Sequence, residues 1–352
     1  MSAGTILWWG RFDPDYSRNR ILLQILAESG WRVIFFRPRF SHFGDLEIAL
    51  KGLERPDLVW VPCFRQRDIA AASRFCRRQN LPLLVDPLIS AYDKQVFERE
   101  KFSEASRSAR SLLAWEQQRL ALADCVLVDT QGHAAFFHEV LKVAEKKIVV
   151  VPVGAEEGLF QPSELPAHPT GDPLEVLFYG SFISLQGPQF IVEAARRYQG
   201  PPVIWHLVGS GPLLKECHEL ASGLKNVVFE GWVDYLRLPE RIARADILLG
   251  IFGASAKAAR VIPNKVYQAA ASGRPVVTLR STAYPTALLN LENSGFSWVP
   301  AADPDAIANA VAHLAGDQAL LGAEAVASRR SYATYLSVAH IRRQLHQALQ
   351  YH

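Results

Sequence analysis

Cysteine is scarce in this chain: four in 352 residues, Cys63, Cys76, Cys125 and Cys217. None is paired at a metal-ligand spacing, which excludes a zinc ribbon and a disulfide framework and points to reduced thiols. No apolar run approaches the roughly 18 residues of a membrane-crossing helix. The opening MSAGTILWWGR lacks a signal-peptide core. Net charge is also low, at +3, too little to argue for a nucleic-acid partner. Residues 1–155 hold 22 basic and 18 acidic residues, a net of +4, and the remainder carries −1. These absences leave a cytoplasmic globular protein, with peripheral contact to the inner face of a membrane left open.

The chain is long enough for two domains, each with its own core. Apolar stretches and helical stretches alternate from the start. TILWW is a first strand ended by Gly10, and a helix capped by Ser17 follows, then the strand WRVIFFR. Asp45–Leu53 reads as a helix and DLVWVPC as a strand. The helix over 68–79 carries Arg74, Arg77 and Arg78, read as a solvated face, and LPLLVDP is a strand ending at Asp86. A long polar helix is expected over about 92–123, then ADCVLVDT, a helix through His133, and KKIVVVPVG. Residues 154–173 hold four prolines and read as a linker. After them the alternation restarts with LEVLFYGS and runs to a last long helix. Repeated βα units predict parallel sheets covered on both faces.

The richest stretch is ADILLGIFGASAKAARVIPNKVYQAAASGRPVVT, residues 245–278. A strand gives way to a small-residue loop, then to Lys257, Arg260 and Lys265 around Pro263. Asn264 is placed to cap a helix that Gly273 stops. Free N–H groups at a helix start and nearby cations suit a diphosphate. Gly209-Ser-Gly211 has Leu214 where a third glycine would stand, so the dinucleotide fingerprint is incomplete and a nicotinamide-linked enzyme is disfavoured.

Taken together, LFYGSF, GPQFIVEAA, HLVGSGPL, NVVFEGWV, ADILLGIFG and PNKVYQAAASGRPVV resemble the retaining glycosyltransferases of family 4. The resemblance covers nearly all of the C-terminal half and is looser, though consistent in layout, before it. It implies an α/β GT-B fold, two doubly wound Rossmann-like domains facing across a cleft. Residues 1–158 would form the acceptor-side domain, with a C-terminal helix over 331–352 crossing back to it, and 159–330 the nucleotide-sugar domain. It also implies a nucleoside-diphosphate sugar as co-substrate, no other cofactor, no bound metal and an acceptor of unassigned identity. A non-catalytic nucleotide-sugar-binding or partner subunit is the alternative.

The departures are specific. The family's Glu-x7-Glu falls on Arg260 and Gln268, and its basic pair after the first C-terminal strand falls on Ser181 and Gln186. A branch of the family with K-x-x-R-V-I-P-N-K in this place looks similar. The phosphate-neutralising charge is therefore expected on Lys257, Arg260 and Lys265, with Lys257 farthest out. Catalytic candidates are Arg260, Lys265 and Asp86. Donor-binding candidates are Gly10, Gly180, Ser181, Gln186, Gly209, Gly253, Lys257, Pro263, Asn264 and Gln268. Arg11 and His133 are acceptor-side candidates. Trp8 and Trp9 alternate on the first strand, so at least one is core, and Tyr267 is expected there too. Arg18 and Arg20 are expected in solvent.

Overall fold

A computed structural model describes residues 3–99, 101–169 and 171–350. The chain divides into two compact units, Met1–Val153 with Val338–His352, and Gly154–Ser337.

The first unit is built on six parallel strands: β1 Gly4–Trp9, β2 Trp31–Phe36, β3 Leu58–Val61, β4 Leu83–Val85, β5 Cys125–Val128 and β6 Ile148–Val150. Their order across the sheet is β2-β1-β3-β4-β5-β6. Both faces of β1 are buried because helices cover both sides, as parallel sheets require. Trp8 stacks on Trp60 at 4.9 Å between ring centres, while Trp9 meets Phe36 edge-on at 4.6 Å. Both tryptophans are core. Helix Val338–Gln350 brings Ile341, Leu345 and Ala348 onto the Trp8 side, against Ile21 and Leu22 of helix Ser17–Glu28.

The second unit has β7 Leu174–Ser181, β8 Val203–Ser210, β9 Val227–Glu230, β10 Ile247–Leu249, β11 Val276–Leu279 and β12 Phe296–Val299, in the order β12-β11-β10-β7-β8-β9. All pairings in both sheets are parallel. Helix Asn264–Ala271 ends as the sequence predicts, with Gly273 at φ +71°. There Arg274 N–H bonds the Ala269 carbonyl at 3.0 Å and Gly273 N–H the Ala270 carbonyl at 3.1 Å, a Schellman stop.

Several local expectations are corrected. Asn264 does not cap its helix: Pro263 is the N-cap residue and Asn264 the first helical one. Ser17 likewise lies inside its helix, after Tyr16. The long polar helix is broken into Ala91–Asp93, a π-turn Lys94–Glu98 and Arg107–Leu120, with Ser106 capping the last piece through the Ala109 N–H at 3.1 Å. The proline-rich stretch is fastened down. Buried Arg274 donates to the Ser163 carbonyl (2.8 Å), Ser163 Oγ (2.7 Å) and the Glu164 carbonyl (2.8 Å). The four cysteines are free and buried, and burial pushes each thiol up to about 12, which leaves them unreactive.

Candidate active site

In the second sheet the chain winds outward from neighbours β7 and β10 in opposite directions, the switch point where open α/β sheets build sites. At the C-terminal end of β7 lie Gly180 and Ser181, and beyond β10 runs the segment through Gly253. The two following loops meet backbone to backbone. Phe252 N–H donates to the Gln186 carbonyl at 3.1 Å. A Cβ on Gly187 would lie 2.9 Å from the Gly253 nitrogen, and one on Gly253 would strike the Ser184 and Leu185 carbonyls. Glycine at both positions permits this approach, which sets Gln186 against the helix that starts at Asn264.

Lys265 completes the arrangement. It is buried, and its Nζ donates to Gln186 Oε1 at 2.5 Å. The same ammonium sits 3.6 Å above the centre of the Phe178 ring and 3.1 Å from where a Cβ on Gly180 would be. Burial, with no carboxylate in ion-pair reach among the described residues, lowers its pKa well below the usual lysine value. The resemblance expects a cation at position 186; here the cation comes from the facing helix and hydrogen-bonds the glutamine that stands there.

Gln268, one turn on, is buried and its Oε1 accepts the Tyr179 hydroxyl at 2.9 Å. Burial raises the Tyr179 pKa well above normal, so the phenol stays a donor and orients the amide with Nε2 as its remaining donor. Pro263, as the N-cap residue, provides no side-chain cap for this helix. Arg260 ends the 3-10 turn Ala258–Arg260 before it and Lys257 is that turn's N-cap residue, with Arg260 N–H bonding the Lys257 carbonyl at 2.9 Å. Lys257 is 1% exposed and Arg260 half-buried, so the expectation that Lys257 lies farther out is reversed. Ser181 is exposed, and Gly209 pairs with Gly180 across β7 and β8.

In the first unit, Gly10 ends β1 at φ +140° and Arg11 is exposed. Asp86 ends β4 fully buried, one oxygen 2.7 Å from Arg18 Nε. Arg18, expected in solvent, is 0% exposed and also donates to the Val151 and Pro152 carbonyls at 2.9 and 3.2 Å. His133 is buried in the first turn after Thr130, which caps its N–H at 3.0 Å. Its Nδ1 bonds Asp129, and its Nε2 is 3.9 Å from Asp93. Phe178, Tyr179 and Arg18 were missed as partners. Tyr179 carried a signal, a hydroxyl at the strand position just before the turn glycine.

Two family models match the chain: glycosyl transferases group 1 over residues 173–317, and the glycosyl transferase 4-like domain over 17–154. The chain is a glycosyltransferase of the family 4 type. This sets aside the non-catalytic subunit as the leading alternative. Solved structures agree on a GT-B fold. HepE from Anabaena, solved with UDP, is 16% identical, covering 98% of this chain and 99% of its own, with a TM-score of 0.73. A sucrose-phosphate synthase from Thermosynechococcus elongatus is 19% identical over 98% of both chains, with a TM-score of 0.73. The lipopolysaccharide outer core galactosyltransferase WaaB is 12% identical over 98% of this glycosyltransferase and 99% of its own chain, with a TM-score of 0.65. A search of curated protein sequences finds no match.

Proposed function

We propose that this glycosyltransferase moves a sugar from a nucleoside-diphosphate sugar to an acceptor hydroxyl with retention, and that the switch-point loops of the second unit hold the diphosphate. One observation carries the reading: a lysine ammonium buried without a carboxylate at an uncapped helix start. Such an ammonium is costly in isolation and gains a counter-charge when an anion arrives. Lys265 and the first amides of its helix face the β-phosphate, Arg260 reaches the same group from the preceding turn, and Lys257 backs them. Gln268 Nε2 donates to a ribose hydroxyl. Gly180, Ser181, Gln186, Gly209 and Gly253 form the walls that let the phosphates approach backbone. In the first unit Gly10 is assigned to the donor, Arg11 and His133 to the acceptor, and Asp86 acts as the buried counter-ion of Arg18.

In the transfer, the bond between the anomeric carbon and the β-phosphate oxygen breaks with its electron pair on oxygen. The acceptor oxygen bonds the same face of that carbon, and the hydroxyl proton passes to the leaving phosphate. Charge on the leaving group grows toward the transition state, so a preorganised cation there accelerates the step. Peripheral attachment to a membrane is part of this reading. HepE from Anabaena has been solved with UDP and with UDP-glucose, which supports a uridine nucleotide as the first ligand to try. The test is a thermal-shift panel of UDP, GDP, ADP and dTDP, followed by NMR assignment of the product anomer. Stabilisation by one diphosphate and a retained anomer support the proposal; no stabilisation by any of them, or inversion, overturns it.

A further inference from the structure

Large apolar side chains are exposed unevenly. Of the twelve that are exposed among the described residues, six lie between Phe35 and Leu53. Phe43, Leu46 and Leu50 recur at helical spacing along and at the ends of Gly44–Ala49, and Leu53 follows the turn beyond it. They are exposed by between 41% (Leu53) and 89% (Leu50), and Phe40, just before them, by 68%. The opposite face of the same turn is sunk into the unit. Ile48 is 4% exposed, and buried Asp45 is held by Arg74 at 2.6 Å and Arg78 at 3.0 Å from helix Ile69–Gln79. The segment is therefore pinned by its acid and turns its apolar stripe outward, the reverse of a soluble amphipathic helix.

Charge around the stripe has one sign. Residues 31–79 hold ten basic and five acidic residues, a net of +5 in a chain whose total is +3. All five carboxylates are already engaged: Asp45 by two arginines, Glu47 by Lys51, Glu54 by Arg32, Asp68 by Arg65, and Asp57 by the Thr5 N–H. Arg37 and Arg39 have no carboxylate in ion-pair reach among the described residues, and both are exposed beside Phe40. Arg37 packs over the Phe12 ring at 4.9 Å, and Phe12 over Phe35 at 5.4 Å.

We propose that this exposed stripe docks on an anionic lipid bilayer, with Phe40, Phe43, Leu46 and Leu50 entering the headgroup boundary and Arg37, Arg39 and Lys51 meeting lipid phosphates. Exposed apolar side chains interleaved with exposed cations, of which Lys51 also pairs with Glu47, fit that boundary, where cation stems lie along the apolar layer and their heads reach the phosphates. The inference deepens the membrane reading above. It is independent of donor chemistry, so vesicle binding and nucleotide binding fail separately.

The experiment floats the full-length protein with phosphatidylcholine vesicles, with and without phosphatidylglycerol, alongside sedimentation velocity without lipid. The wild type is expected to float with the anionic vesicles only, and less so in high salt. The combined Phe40→Ser, Leu46→Ser and Leu50→Ser variant should bind at least about tenfold more weakly. Leu50→Ser alone, at the most exposed site, should weaken binding in a fully folded protein; Arg37→Glu with Arg39→Glu should abolish the preference for anionic lipid. Wild-type protein that stays unbound, or serine variants that bind as well as wild type, overturns the proposal. A wild-type dimer that the serine variants dissolve, without vesicle binding, assigns the stripe instead to a second copy of the chain.

Discussion

Each unit of this glycosyltransferase buries a cation near the C-terminal ends of its parallel strands, and the two are compensated in opposite ways. In the first unit Arg18 has a carboxylate, Asp86, and two backbone carbonyls around it. In the second unit Lys265 has an amide oxygen and an aromatic face. Burial takes both charges out of water, and only the first has an opposite charge returned to it. A charge-paired cation is neutralised in place, even though Arg18 Nη2 and Asp86 Oδ1 find no hydrogen-bond partner; an uncompensated ammonium favours an arriving anion. Burial depth alone would rank the two residues alike, whereas partner chemistry separates structural from receptive.

Removing one partner of the charge pair should have the largest effect. Asp86→Ala leaves Arg18 as an isolated buried charge and should cost about 3–5 kcal/mol of stability, read by urea denaturation. A loss below about 1 kcal/mol would show that Arg18 is compensated by its carbonyl partners alone. Gln268→Ala should weaken nucleotide binding by about 1–2 kcal/mol in calorimetry, while global stability changes less than for Asp86→Ala. The smallest effect, and opposite in sign, is expected at Lys265. Lys265→Met removes a buried charge that lacks a counter-ion and should raise the melting temperature of the ligand-free protein. The lowered amine pKa means that the unfolded chain binds more protons between the folded value and about 10.4, so wild-type stability rises with pH there. The advantage of methionine should widen as pH falls through that window, by about 1.4 kcal/mol for each pKa unit of displacement. A melting-temperature difference that is flat with pH would mean that Lys265 finds compensation elsewhere.

The alternation of strands and helices was legible because parallel strands buried on both faces read as short apolar runs between periodic helices. The Schellman stop at Gly273 was legible because glycine is the residue that adopts its φ of +71° at least cost. The start of the same helix was not: asparagine is a good cap in isolation, but Pro263 fixes the entering backbone one residue earlier. Lys257 and Arg260 were named from proximity in sequence, and their order of burial was inverted, because a 3-10 turn between them rotates one inward. Arg18 looked like a surface residue since its acid lies 68 positions away, beyond the reach of local pattern. Asp45–Leu53 was read as an ordinary helix, whereas the structure holds only Gly44–Ala49 helical; periodicity gives a face without saying which way it points, and the Asp45 ion pairs decide that. The cation at the proposed phosphate site was legible as a cluster, but its contact with Gln186 depends on two loops meeting through glycine.

The central claim is that Lys265 is the receptor for the leaving diphosphate. The direct measurement is calorimetric titration of wild type and Lys265→Met with the nucleoside diphosphate chosen by the thermal-shift panel and with its monophosphate. The wild type should prefer the diphosphate, and the variant should lose most of that preference while binding the monophosphate as before. A folded Lys265→Met protein that retains the full diphosphate preference would contradict the assignment.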